Sequence, residues 1–468
     1  MVDQKSIHLI GIGGIGMSGI ANLLVELEYE VSGSDLKDSN ILANLRCKGA
    51  EISIGHQSQN VLGAELVVVS SAIPEDNPEL KMAKEQEIPI LKRAEMVARL
   101  MKDWKGIAIS GTHGKTTTTS MITTILEKNN LDPTSLIGGK LGLIGGNSKL
   151  GSGDYFITEA DESDGSLLFM EPEIGIVTNI EDDHLDHYGS RKKIEETFVE
   201  FLNKLPAQGV GIVCIDDPGV LSIIDQIESN LITYGLESEA DLTAQQIELN
   251  NLSSQAVIYW QGQRLGQLKL RVPGKYNLLN ALAAIAQGLH IGLDFEEIAT
   301  ALYSFTGVGR RFEKKGEYRG ATVVDDYAHH PTELQATLTA AKNADFKRVI
   351  AVFQPHRYSR TELLLEDFSK SFAQADEVII TDIYAAGEEP IPGLNSKQIV
   401  DLINKSFFRK ATFISELEGV YDYLQEVVEA DDLVLTLGAG DVWKVGERLV
   451  AEELDSDLKA SGELTMEV

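Results

Sequence analysis

The sequence predicts an α/β protein of three domains, and three observations predict it. Short apolar strand signals alternate with apolar-periodic helix signals along most of the chain. Two glycine-rich turns, "GIGGIG" at 11–16 and "GTHGKTTTT" at 111–119, each lie between a strand signal and a helix signal. At 468 residues the chain is also longer than one hydrophobic core ordinarily organises.

The first domain, residues 1–104, reads as a Rossmann-like unit. "IHLIGI" is a strand, the segment after Gly16 a helix, and "EYEVSGSD" and "AELVVVSSAI" are further strands. "IPILKRAEMVARLM" runs from a short strand into a helix, and the unit ends near Trp104. The second domain, residues 105–309, reads as a P-loop ATPase-like unit on a mixed sheet. It opens with "KGIAIS", a glycine turn and a helix that carries Met121, Ile122, Ile125 and Leu126 on one face. "DYFITEADESD", "EIGIVTNIEDDHLDHYG" and "GVGIVCIDD" are strands ending in acidic residues, and β-branched alternation from Thr233 to Val272 suggests an antiparallel excursion. The amphipathic "NLLNALAAIAQGLHIG" closes the unit. "GVGRRFEKKGEYRG" is charged and lacks apolar periodicity, so it reads as a linker. The third domain, residues 310–468, is again Rossmann-like, with strands in "ATVVDDYAHH", "RVIAVFQPHR", "DEVIITDIYAAGE" and "DLVLTLGAGD". The acidic tail after Val450 reads as a frayed end.

Composition narrows the function. Hydrophobic content of 43% and charged content of 24% belong to an ordinary globular protein. A formal net charge of −31 opposes non-specific binding to a phosphate backbone, so no nucleic-acid partner is expected. Only Cys47 and Cys214 are present, which suggests neither a disulfide framework nor a zinc knuckle. No apolar run approaches the ~20 residues of a membrane span, and no basic-then-apolar leader is visible. The expectation is a cytoplasmic protein without membrane contact.

The chemistry-bearing residues cluster at strand ends. Gly11, Gly13 and Gly16 form a dinucleotide fingerprint, and Asp35 follows where a dehydrogenase would hold a ribose. Taken alone, that turn reads as a nicotinamide site. "GTHGKTTTT" is the stronger signal: successive amides at a helix N-terminus cradle phosphate, Lys115 reaches the β- and γ-phosphates, and Thr116 can hold Mg²⁺. Its loop is compressed, because Ile109 stands where the usual first glycine would be and Gly111 takes that part. Glu159, Asp161 and Glu162 in "EADESD" could hold a metal carried by ATP, and His184, Asp186 and His187 end the next strand. Six of the nine histidines (113, 184, 187, 329, 330 and 356) fall at such strand ends. Arg357 and Arg360 in "FQPHRYSRT" could clamp a carboxylate or phosphate.

These motifs, in this order and with "NLLNALAA", "RRFE", "DDYAHHP" and "GAGD", resemble the Mur ligase family of amino-acid ligases over nearly the whole chain, and its alanine-adding branch in particular. The resemblance implies that the first turn holds a UDP-sugar and not NAD. Gly13, Gly14, Ile15 and Gly16 would then face the pyrophosphate, with Asp35 and Ser70 near the uridine. It implies ATP on Gly111, Thr112, His113, Gly114, Lys115, Thr116 and Thr117, with Asn280 and Arg311 also contacting ATP and Asp325 toward its ribose. Lys115, His184 and Arg311 would be catalytic, and Thr116, Glu159 and His184 would hold Mg²⁺. Arg357 and Arg360 would bind the carboxylate of alanine, with Tyr327 and His329 beside its methyl group. The implied activity is ATP-driven amide synthesis on UDP-N-acetylmuramate through an acyl phosphate. Its alternatives are a ligase that recycles a whole tripeptide onto the same sugar nucleotide, an NAD-dependent oxidoreductase and a non-catalytic P-loop module. One feature separates this branch from those adding later amino acids: Thr197 and Phe198 occupy the region where the others carry a carbamylated Lys.

Overall fold

The computed structural model describes residues 5–70, 72–163, 165–183, 188–250, 252–407 and 411–461. Its strands form three sheets of five, ten and six strands. The five-stranded sheet is parallel throughout and runs Glu51–Ile54, Glu30–Asp35, Ser6–Ile10, Leu66–Val69, Ile90–Lys92. Strand order therefore reverses beside Ser6–Ile10, and a parallel sheet puts ligands at the strand ends of such a switch point. The 11–16 turn follows that strand directly. Glu51–Ile54 and the helices Asn40–Cys47 and Pro78–Glu85 are elements that the sequence patterning did not single out.

In the ten-stranded sheet, Lys105–Ser110 lies between Ile174–Val177 and Tyr155–Glu159, parallel to both. The parallel run extends through Val210–Cys214 to Leu231–Gly235 and then to Leu242–Asn250, which pairs Tyr234 with Leu242. The departure from parallel order thus starts later than the alternation from Thr233 suggests. It comes with Ser253–Trp260, which turns back along Leu242–Asn250 so that the Gln261 amide donates to the Asp241 carbonyl, and continues in Gln263–Leu270 across Gln261 and Gly262 at φ 47° and 76°. At the other end of the sheet Gly146–Lys149 pairs antiparallel with Thr134–Leu141.

The helix Lys115–Lys128 is buried on every side from Thr116 to Leu126, not on one face alone. Four of its hydroxyls survive burial by bonding inside the helix: Thr119, Ser120, Thr123 and Thr124 donate to carbonyls four residues back at 2.7–2.9 Å, while Thr116 and Thr118 donate to Glu159 and Asn280. Residues on both sides of Trp104 share one apolar cluster, in which Ile20, Met96 and Met101 pack with Phe156, Met170 and Phe198.

The chain divides into two compact units. One holds the five-stranded sheet and nearly all of the ten-stranded sheet and ends at Val308; the other starts at Gly309, with Glu248–Ser254 and Arg271–Tyr276 added to it. In the second unit the supposed linker contains a strand. Glu313–Tyr318 pairs antiparallel with Ala321–Asp326 at the edge of the six-stranded sheet. Only Tyr318 of that strand is buried. Its lysines and glutamates erase apolar alternation while suiting an edge that must not recruit another strand. The tail differs as well: the helix Trp443–Ser461 carries the chain well past Val450. Val445 and Leu449 root it in the apolar cluster, and Tyr421 and Gln425 donate to Glu452.

Candidate active site

Two glycine turns, each leading from a strand into a helix, lie in the first unit. At Gly11, φ is +80° and the amides of Gly11 and Ile12 both donate to the Ser34 carbonyl, which folds the chain back sharply. The helix Ile15–Glu26 then starts at Gly14 with no side-chain cap, so its first amides are available to an anion. Asp35 accepts from the Gly13 amide at 2.9 Å and braces the turn from the next strand. Ser70 lies beside Gly11 at the end of Leu66–Val69. The UDP-sugar residues expected from the sequence are thus gathered around one turn.

At the second turn Gly111 and Gly114 take φ of 125° and 85°, which L side chains rarely adopt. The loop is strapped to the end of Ile174–Val177. The His113 amide donates to Asn179 Oδ1 at 2.8 Å, and Thr178 Oγ1 donates to the His113 carbonyl at 2.6 Å. Lys115 Nζ donates to the Gly111 and Thr112 carbonyls and to both oxygens of Glu162, at 2.9 and 2.8 Å. Burial opposes the Lys115 charge, but the carboxylates of Glu162, Asp161 and Glu159 outweigh it and raise the pKa of the ammonium. Burial pushes Glu162 up to about 7 against the pull of Lys115. Thr116 Oγ1 donates to Glu159 Oε2 at 3.0 Å. That pairing sets two hard oxygen donors side by side beside Lys115, a donor set that suits Mg²⁺. Asn280 meets the loop: a Cβ at Gly114 would come within 2.5 Å of its Oδ1, to which Thr118 also donates. His184, Asp186 and His187 lie outside the described residues.

In the second unit, Asp325 is fully buried and accepts from Thr436 Oγ1 at 2.7 Å and Arg310 Nε at 3.1 Å; burial raises its pKa. Tyr327 lies under two guanidinium groups, those of Arg310 and Arg311, at 4.9 and 5.0 Å from its ring centre. Its ring meets His329 edge-on, His329 meets His356 edge-on, and His356 stacks on Tyr384. Burial brings His329 down to about 4, and burial together with the neighbouring His329, Arg360 and Arg357 brings His356 down to about 3. Both imidazoles are therefore neutral at pH 7. Arg360 is buried, and Arg357 holds a φ of 70° while its amide donates to the Tyr384 carbonyl. Tyr327 and His329 belong to this aromatic cluster, and the charges of Arg357 and Arg360 lie near enough to His356 to help lower its pKa.

Sequence reasoning passed over Arg93. Its Nη2 pairs with Asp161 Oδ2 at 3.1 Å, and a Cβ at Gly16 would lie 3.2 Å from its guanidinium. This cation therefore stands between the first glycine turn and the acidic loop behind Lys115. Glu333, which accepts from the His329 amide at 3.0 Å, was also unmarked. "PILKRAEM" offered no signal beyond a basic residue at a helix start.

Comparison with known proteins decides the family. The Mur ligase family, catalytic domain, matches residues 6–105; the Mur ligase middle domain matches 109–288; and the Mur ligase, glutamate ligase domain, matches 310–440. The chain belongs to the Mur ligase family. A UDP-N-acetylmuramate–L-alanine ligase of Syntrophotalea carbinolica is 50% identical over 445 residues, covering 95% of this chain and 97% of the relative. The enzyme of the same description from Desulforamulus reducens is also 50% identical, with 96% and 97% covered. Among solved structures, the UDP-N-acetylmuramate–alanine ligase of Thermotoga maritima superposes with a TM-score of 0.83 at 30% identity, covering 96% of this chain and 99% of its own. A murein peptide ligase from Psychrobacter arcticus has a TM-score of 0.70 at 24% identity and shares the fold. Among the described residues, no helix of this Mur ligase is long and apolar enough to cross a membrane.

Proposed function

We propose that this Mur ligase joins L-alanine to the lactoyl carboxylate of UDP-N-acetylmuramate, converting ATP to ADP and phosphate, in the synthesis of peptidoglycan precursors. The observation that carries this reading is the near-full-length likeness, at 50% identity, to ligases of that description. The local geometry supplies the chemistry. A carboxylate is a poor electrophile, so one of its oxygens attacks the γ-phosphorus while the bond to ADP breaks. The amine of alanine then attacks the acyl carbon, and phosphate leaves with the carboxylate oxygen. Such a sequence needs positioning and charge neutralisation more than covalent help from the protein.

Lys115 is the cation for the β- and γ-phosphates, and residues 111–117 surround them, with the first amides of the helix Lys115–Lys128 as donors because those of Thr112 and His113 are held by Asn179. Thr116, Glu159 and His184 would hold Mg²⁺, which when bound neutralises phosphate charge. Asn280 and Arg311 would contact ATP, with Asp325 toward its ribose. Gly13, Gly14, Ile15 and Gly16 would receive the pyrophosphate of the sugar nucleotide, with Asp35 and Ser70 near the uridine. The helix N-terminus recognises a pyrophosphate whichever nucleoside is attached, which is why the same turn reads as a nicotinamide site. Arg357 and Arg360 would bind the alanine carboxylate, and Tyr327 with neutral His329 would border its methyl group. Residues 1–104, 105–309 and 310–468 would serve the UDP-sugar, ATP and amino acid respectively. The substrates ATP and a nucleotide sugar suit a cytoplasmic enzyme acting on small molecules, without nucleic-acid or membrane partners. The test is phosphate release: it should require ATP, UDP-N-acetylmuramate and L-alanine together. Release that is indifferent to alanine, or that needs a tripeptide in its place, overturns the reading.

A further inference from the structure

The first phosphate turn is held by the neighbouring ten-stranded sheet as well as by its own. Asn147, on the strand Gly146–Lys149, donates from Nδ2 to the Ile15 carbonyl at 2.7 Å. That carbonyl belongs to the Ile15–Gly16 peptide, whose N–H faces the opposite way and is one of the first-turn amides available to an anion. The hairpin of Thr134–Leu141 and Gly146–Lys149 lies close enough for this bond only because residue 19 is glycine: a Cβ there would overlap Leu136 Cδ1 and stand 3.1 Å from Asn147 Nδ2. At the far end of the helix the Leu150 amide donates to Glu26 Oε2 at 3.2 Å, so the hairpin grips the helix at both ends.

The same hairpin reaches the ATP turn. Its other strand, Thr134–Leu141, contains Gly138, whose amide donates to Glu159 Oε1 at 2.6 Å. The second oxygen of Glu159 takes the Thr116 hydroxyl. A continuous chain of contacts therefore runs from Thr116 through Glu159, Gly138 and the paired strands to Asn147 and the sugar-nucleotide turn.

We propose that Asn147 is a positioning residue for UDP-sugar binding: its amide fixes the Ile15–Gly16 peptide so that the Gly16 N–H points at the pyrophosphate. This rests on the assignment of the 13–16 turn to the sugar nucleotide. Asn147 touches no phosphate itself. It acts by keeping the first helical turn from rotating its donors away, a form of preorganisation.

The experiment compares Asn147→Ala and Asn147→Asp with the wild-type ligase under steady-state turnover, with each substrate varied in turn. One hydrogen bond changes affinity by about threefold to tenfold. Asn147→Ala should therefore raise KM for UDP-N-acetylmuramate by about that factor, leaving KM for ATP and alanine within about twofold. Asn147→Asp keeps the shape, removes the donor and sets a carboxylate against the carbonyl, so its KM should rise further than that of the alanine variant. Asn147→His, which restores an N–H donor, should recover part of the loss. Equal KM values for the sugar nucleotide in wild type and Asn147→Ala overturn the proposal. So does a rise of all three KM values together with a lower melting temperature, which marks a merely structural role. Wild-type turnover with the three substrates stands as a separate control, since its absence would count against the functional assignment and not against Asn147.

Discussion

Lys115 is bound on both oxygens of Glu162 and on two loop carbonyls, so its ammonium is aimed before any phosphate arrives. A charge placed where phosphoryl transfer shifts negative charge acts mainly on the transition state. Lys115→Ala should lower kcat by roughly 10³-fold or more, measured as phosphate release at saturating substrates. Turnover near that of the wild type would mean that another group neutralises the γ-phosphate. Glu79 is fully buried and accepts from Ser34, whose carbonyl holds the Gly11 and Ile12 amides. Burial alone would raise its pKa. Pairing with His8 at 3.6 Å and hydrogen bonds from Ser34 and Asn60 bring it down to about 2 instead. A carboxyl whose folded pKa lies below its unfolded value contributes stability above about pH 4.5, and loses it as pH falls toward 2. Glu79→Gln should cost about 2–4 kcal/mol at neutral pH, because buried donors are left with a poorer partner. It should also flatten the acid limb of a melting-temperature profile between pH 4.5 and 2 relative to wild type.

Among elements, the helix Ile15–Glu26 joins the two sheets of the first unit, and Gly19 sets how closely it packs. Gly19→Val would drive a branched side chain into Leu136, and overpacking of this kind costs about 1–3 kcal/mol. Calorimetry should show a lower melting temperature, and sugar-nucleotide affinity should fall more than ATP affinity. Elements with a strong local pattern were legible in the sequence. The Ser6–Ile10 strand and glycine turn, the Lys105–Ser110 strand with its phosphate loop, and the Asp432–Leu437 strand all declare themselves by an apolar run meeting glycine. The edge strand Glu313–Tyr318 reads as linker in the sequence because its backbone pairing leaves no alternation of apolar side chains. The helix beyond Val450 was hidden by its acidic composition, since Val445 and Leu449 anchor it from a preceding turn. In the site, the residues of each turn could be read from local sequence. Arg93, Gly138 and Asn147 could not, because Asp161, Glu159 and Ile15 lie 68, 21 and 132 residues away from them. Only the folded sheet brings such partners together.

For the whole molecule, ligand binding should separate the readings that the first turn leaves open. UDP-N-acetylmuramate should raise the melting temperature by mass action and NAD should not, since only the native state offers the site. Stabilisation by NAD with none from the sugar nucleotide would restore the dehydrogenase reading. The central claim is the chemical one, that ATP activates the sugar-borne carboxylate. It is tested most directly by labelling both oxygens of the lactoyl carboxylate with ¹⁸O and analysing the phosphate after one turnover by mass spectrometry. Attack of that carboxylate on the γ-phosphorus moves one labelled oxygen to phosphate for each amide bond formed. Unlabelled phosphate accompanying product, or the appearance of AMP and pyrophosphate, would contradict the acyl-phosphate account.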